Sequence, residues 1–241
     1  MRWQAAGAPD RTIVTWVTFS QQRRDYFDAL GWVAALAEAT HAGQLGARTP
    51  CTDFDVRSLL GHLIGTAYRG LATARGGKAS SIPHVVSGVP DGDLARVYST
   101  VAAAIRQAWS PLAATESVTA PWGTCTALEA ARGFTVETVT HGWDLAIATG
   151  QPADAPGGIA DRCLAFAAEI TPDRLRGVMY DAPVPGAAIS ATEQLAHLLG
   201  HQLDAQAPVP SQGQPPPSRS RPRSESICGE EISPRQVGRG R

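Results

Sequence analysis

The four cysteines, Cys51, Cys125, Cys163 and Cys228, are far apart, and no pair has C-x-x-C spacing. That scatter argues against a disulfide framework and against a cysteine-rich zinc site, and it fits a reducing, cytoplasmic setting. Charge of one sign is also missing, because 21 lysines and arginines face 22 aspartates and glutamates. A net charge of −1 sets up no basic field of the kind that draws a chain onto nucleic acid or anionic lipid, so neither is an expected partner. Long apolar runs are absent too: Ile13 to Phe19 is broken by threonines and is much too short to span a bilayer. No β-period is sustained anywhere, which leaves helices to build the core.

What is present is a series of amphipathic helices. Phe27, Leu30, Val33, Ala34 and Ala37 recur at helical spacing from Asp25 to about Ala42, and Gly43 with Gly46 closes the run. Thr52-Asp53-Phe54-Asp55 has capping-box form ahead of a second helix carrying Val56, Leu59, Leu60, Leu63, Ile64 and Ala67 to about Ala74. A serine-, proline- and glycine-containing loop over 79–89 leads to a third helix, opened by Asp91 or Asp93 and stopped by Pro111. Pro121-Trp122-Gly123-Thr124 reads as a turn, and Ala127 to about Thr149 as a fourth helix ended by Gly150. Shorter helices are expected over roughly 158–170 and 192–199. The fold class is therefore all-α, a four-helix bundle with one or two extra short helices. Residues 1–24 read as a poorly structured extension, 25–200 as the bundle, and 201–241, rich in proline, serine and arginine, as a disordered tail.

Histidine is scarce, with six in the chain, so its placement on helices is informative. Glu137 and His141 are four apart on the fourth helix and stack on one face, flanked along it by the small residues Ala130, Gly133 and Ala148. His62 lies at the edge of the second helix's apolar stripe. In a bundle, ligands projecting inward from facing helices are the usual way to build a metal site. Two imidazoles and one carboxylate suit zinc, with nickel or iron as the other divalent candidates, and three protein ligands leave a position open for a small ligand. Asp144, three residues beyond His141, could accept a hydrogen bond from a ligating imidazole. Cys51 is placed about 15 Å from His62 by the helical rise, and so reads as a packing residue rather than a ligand. Arg57, Arg69 and Arg75 lie on or just beyond the same helix and read mainly as solvated side chains.

Two blocks carry a family resemblance: Val56-Arg57-Ser58-Leu59-Leu60-Gly61-His62-Leu63, and Glu137-Thr138-Val139-Thr140-His141-Gly142-Trp143-Asp144-Leu145-Ala146. Smaller echoes are Pro121-Trp122-Gly123 and Met179-Tyr180-Asp181-Ala182-Pro183-Val184. Together, over roughly residues 25–200, they resemble the mycothiol-dependent maleylpyruvate isomerase N-terminal family of DinB-like proteins, and more closely its shorter relatives without the C-terminal domain. The resemblance implies a DinB-like four-helix bundle with His62, Glu137 and His141 as metal ligands. It also implies mycothiol, a low-molecular-weight thiol of actinobacteria, as a co-substrate whose thiolate attacks an electrophilic substrate. The expected activity is that of a metal- and thiol-dependent transferase or isomerase. A non-catalytic metal-binding module and a metal-assisted hydrolase are the alternatives, and the chain is expected to be a monomer or homodimer.

Overall fold

The computed structural model describes residues 11–202 apart from 172, 174, 175, 178 and 179, with side chains described from Phe19 onward except at 168 and 169. The chain divides into Met1–Ala207, which contains every described residue, and Pro208–Arg241, which lies outside them. Six helices are described, α1 (Arg11–Glu38), α2 (Val56–Ala74), α3 (Leu94–Trp109), α4 (Ala127–Thr149), α5 (Ile159–Ile170) and α6 (Ala191–Leu198). A hairpin of β1 (Ser117–Ala120) and β2 (Gly123–Thr126) sits between α3 and α4.

Helix α1 packs on α3 and α4, and α2 packs on the same two, so the four surround one core in the cyclic order α1, α3, α2, α4. This is the all-α architecture that the resemblance implies. Trp109 is fully buried at the centre, with its indole N–H donating to the Gly70 carbonyl at 3.0 Å and its ring edge-on to Tyr26. Helices α5 and α6 pack on the far side of α4 around a smaller cluster of Val136, Val139, Ile159, Cys163, Ala167 and Leu195. With neighbours on both sides, α4 is buried almost all round from Phe134 to Ala146.

Helix ends follow local chemistry. Asp55, in extended conformation, caps α2 by accepting from the Ser58 N–H at 2.7 Å, so the cap is Asp55 rather than Thr52. Helix α4 opens on a full capping box, in which Thr126 accepts from the Glu129 N–H and Glu129 accepts from the Thr126 N–H. Thr126→Ala is expected to cost about 1 kcal/mol, read as a lower urea midpoint with an unchanged slope.

Three expectations need correction. Helix α1 begins at Arg11 rather than Asp25, and Phe19 and Gln22 within the supposed extension are buried. The periodicity is masked because one inward position is polar: the Gln22 amide donates to Thr135 Oγ1 at 3.1 Å. The stretch read as a bare turn at 121–124 is the tip of a two-stranded hairpin, too short for a β-period to register. The tail assigned to 201–241 lies outside the described residues except for His201 and Gln202, and His201 belongs to the bundle. Among the described residues no helix is long and apolar enough to cross a membrane.

Candidate metal centre

Helices α2 and α4 are adjacent in the bundle, and their facing sides bring His62, Glu137 and His141 together. One ligand atom from each lies within 4.8 Å of the others, close enough for one cation to reach all three. His62 Nε2 is 3.1 Å from Glu137 Oε1, and His141 Nε2 is 3.6 Å from the same oxygen. The two imidazoles meet edge to face with centroids 4.5 Å apart, and Phe54 stacks on His62 at 5.0 Å. The histidine side chains are almost inaccessible, whereas about a third of Glu137 (34%) is exposed, so the cluster opens to solvent on the carboxylate side.

Each imidazole is held from behind by an oxygen. His62 Nδ1 lies 3.1 Å from the carbonyl oxygen of His84. His141 Nδ1 lies 2.9 Å from Asp144 Oδ2, which also accepts from His201 Nδ1 at 2.8 Å. The His84 carbonyl is delivered by the 82–89 loop, which is fastened along α2. The Val86 N–H donates to the Gly61 carbonyl, Arg57 to the Val89 carbonyl and Arg69 to the Ile82 carbonyl. Glycines make this approach feasible, because a Cβ on Gly61 would sit 2.7 Å from the Val86 oxygen and one on Gly65 2.9 Å from the Pro83 oxygen. Arg57, bonded also to Asp91 at 2.8 Å, is thereby a loop tether.

His62 therefore faces oxygen at both ring nitrogens, and a neutral imidazole has one N–H to give. Charging the ring would satisfy both contacts, but burial, followed by the neighbouring His141, lowers its pKa. With the N–H directed to the His84 carbonyl, Nε2 turns a lone pair toward the Glu137 carboxylate. A cation between them would resolve that conflict, and the donor set of two imidazole nitrogens and one carboxylate oxygen fits a divalent metal.

The other groups divide the charge unevenly. At His141 burial opposes protonation, but hydrogen bonds to Asp144 and Glu137 outweigh it and raise the pKa to about 10. Burial works to raise Glu137, yet its bonds to His141 and His62 hold it well below the usual carboxylate range. At Asp144 burial is likewise overcome, by His201 and His141, and the pKa is lowered. Asp144 is fully buried and already accepts from two histidines, so it orients His141 and is out of reach as the proton acceptor of a hydrolase.

Two further residues reach the cluster that the sequence did not mark. Cys51 Sγ lies within 4.8 Å of ligand atoms of His141, Asp144 and His201, which corrects its assignment as a remote packing residue. Helical rise was the wrong ruler, because 47–55 is a reversing loop: Arg48 bridges to Asp55 and the Val56 N–H donates back to Ala47. His201 is placed by Gly200, whose φ of +91° and contact with Asp181 leave no room for a side chain. Its one sequence signal was its position directly after a helix, ahead of the proline-rich composition.

Comparison with known proteins fits this geometry. The family described as mycothiol maleylpyruvate isomerase N-terminal domain matches residues 26–146, a span that includes all three converging residues. Two uncharacterized proteins of Mycobacterium tuberculosis, MT0763 and Rv0738 from different strains, are each 29% identical over 174 residues, covering 70% of this chain and 92% of the relative. No solved structure matches.

Proposed function

Because this chain belongs to the mycothiol maleylpyruvate isomerase N-terminal domain family, we propose that His62, Glu137 and His141 bind one divalent metal ion, best matched by zinc, at which a low-molecular-weight thiol reacts with an electrophilic substrate. The protein would then be a thiol-dependent transferase or isomerase, with mycothiol the thiol that the family's description names. The observation that carries this reading is the buried His62 ring with oxygen at both nitrogens, an arrangement that a cation between Nε2 and Glu137 would reconcile.

Once bound, the metal would supply Lewis acidity, lowering the pKa of a coordinated thiol so that thiolate is present near neutral pH. The protein's part is positioning. The His84 carbonyl fixes the His62 tautomer, Asp144 does the same for His141, and Glu137 supplies the negative charge that retains a dication. The exposed side of Glu137 gives thiol and substrate their approach. Arg69 is within electrostatic reach of Glu137, with its guanidinium tied to the Ile82 carbonyl. Tyr180 feels the same carboxylate, its phenol raised to about 12 by burial and by Glu137.

Thiol titration of cobalt-substituted protein tests the reading. In a Cys51→Ser background, which among the described residues has no cysteine thiol beside the cluster, added mycothiol or a simpler thiol is expected to produce a thiolate-to-cobalt absorption band that saturates at one thiol per cobalt. A cobalt spectrum indifferent to thiol would remove thiol activation and leave a metal-binding module.

A further inference from the structure

We propose that a second divalent cation, one that accepts sulfur as well as nitrogen and oxygen, binds between Cys51, Asp144 and His201, beside the set formed by His62, Glu137 and His141. The three residues come from separate parts of the chain: the reversing loop before α2, the buried interior of α4, and the position just after α6. Their sulfur, carboxylate and ring-nitrogen atoms nevertheless lie within 4.8 Å of one another and of a ring nitrogen of His141. Chance packing seldom brings a thiol, a carboxylate and an imidazole from three elements to one point in a mainly apolar interior, where polar groups need partners.

Asp144 provides an independent sign. Its side chain is fully buried, and Oδ2 takes both histidine contacts, while Oδ1 has no hydrogen-bond partner among the described residues. A buried carboxylate oxygen left unpaired is costly, and a cation would complete it while Oδ2 keeps its bond to His141. His141 can therefore serve the first cation through Nε2 while its Nδ1–H stays on Asp144. His141 borders both sites, and its bond through Nδ1 to Asp144 leaves it to the first cation alone.

The ligand types select the ion. Thiolate sulfur with imidazole and carboxylate suits zinc, cobalt or cadmium and disfavours magnesium and calcium, which take oxygen. Binding forms a metal–sulfur bond at Cys51 and releases the thiol proton to solvent; no electron changes hands. The Cys51 thiol, pushed up by burial and by the negative charge of Asp144, changes state when the cation arrives.

The test uses the full chain, stripped of metal and titrated with cobalt(II) chloride in a buffer free of added thiol. The wild type is expected to bind a second equivalent, with a thiolate-to-cobalt charge-transfer band in the near ultraviolet. Cys51→Ser should abolish the band and keep one equivalent, with unchanged circular dichroism. His201→Ala, a second route to the same site, should weaken the band-forming equivalent by at least ~10-fold. His62→Ala should retain the band and lose the other equivalent. A wild type that binds a single equivalent without a band would overturn this proposal and leave the thiol-activation reading standing. A band that survives Cys51→Ser would arise from another cysteine and would overturn it equally.

Discussion

Replacing His62 or Glu137 with alanine is expected to weaken zinc binding at the α2–α4 cluster by more than ~100-fold, because losing even an outer hydrogen-bond partner of a metal ligand costs ~10–100-fold. Either change removes a ligand from a set of three, and two ligands at a cluster that opens to solvent on the Glu137 side leave a dication mostly to water. The two substitutions should differ in what they do to the metal-free protein. His62→Ala opens a cavity beneath Phe54 and removes the ring that faced oxygen on both sides. Glu137→Ala leaves His141 without one of the two carboxylates that hold its proton, so that pKa should fall from about 10. Competition of zinc against a chromophoric chelator measures the affinity, and circular dichroism checks that each variant is folded. Affinities within a few-fold of wild type in both folded variants would place the ion elsewhere.

Zinc uptake at this cluster should release close to one proton per ion at neutral pH, with affinity rising about tenfold per pH unit up to the His141 pKa. The count follows from the charge states. His62 is lowered below its ordinary value and is already neutral at pH 7, while Glu137 is far below the carboxylate range and already ionised. His141, raised to about 10, keeps a proton that zinc must displace from Nε2. Proton and metal compete for one lone pair, so raising the pH removes the competitor. The same shift governs the metal-free fold. A folded pKa above the unfolded value of ~6.5 stabilises fully below ~6.5, and that contribution is lost as pH rises through about 10. The metal-free protein should therefore lose stability toward pH 10, and the zinc form should be protected there. Calorimetry in two buffers of different ionisation enthalpy, on Cys51→Ser so that no thiol proton is counted, gives the proton number. A value near zero would mean that His141 is neutral before metal arrives.

The helices were legible in the sequence where one face is apolar and the other polar. Helices α2 and α3 show such stripes, and the starts and stops expected for α2 through α6 fall within a few residues of the observed ones. Helix α1 was shortened because its first half meets α4 through a glutamine–threonine bond, an inward contact that a hydropathy pattern reads as surface. The pairing of Glu137 with His141 was visible because both lie on one helix, where spacing fixes direction. Their juxtaposition with His62 is a property of the packing of α2 on α4. The resemblance supplied what periodicity could not. Cys51 and His201 escaped because each sits in a loop just outside a helix, where distance along the chain says little about distance in space.

The acceptor behind His62 is a main-chain carbonyl, and this changes where the site is vulnerable to mutation. A substitution at residue 84 replaces a ring but keeps the carbonyl, so the tautomer of His62 is insulated from drift at the very position that touches it. The burden falls on Gly61 and Gly65, which carry no chemistry and yet admit the loop that brings the carbonyl in. A saturation scan scored on metal retention should therefore record its sharpest intolerance outside the ligands at two buried glycines on the face of α2 that the loop covers, with residue 84 comparatively permissive.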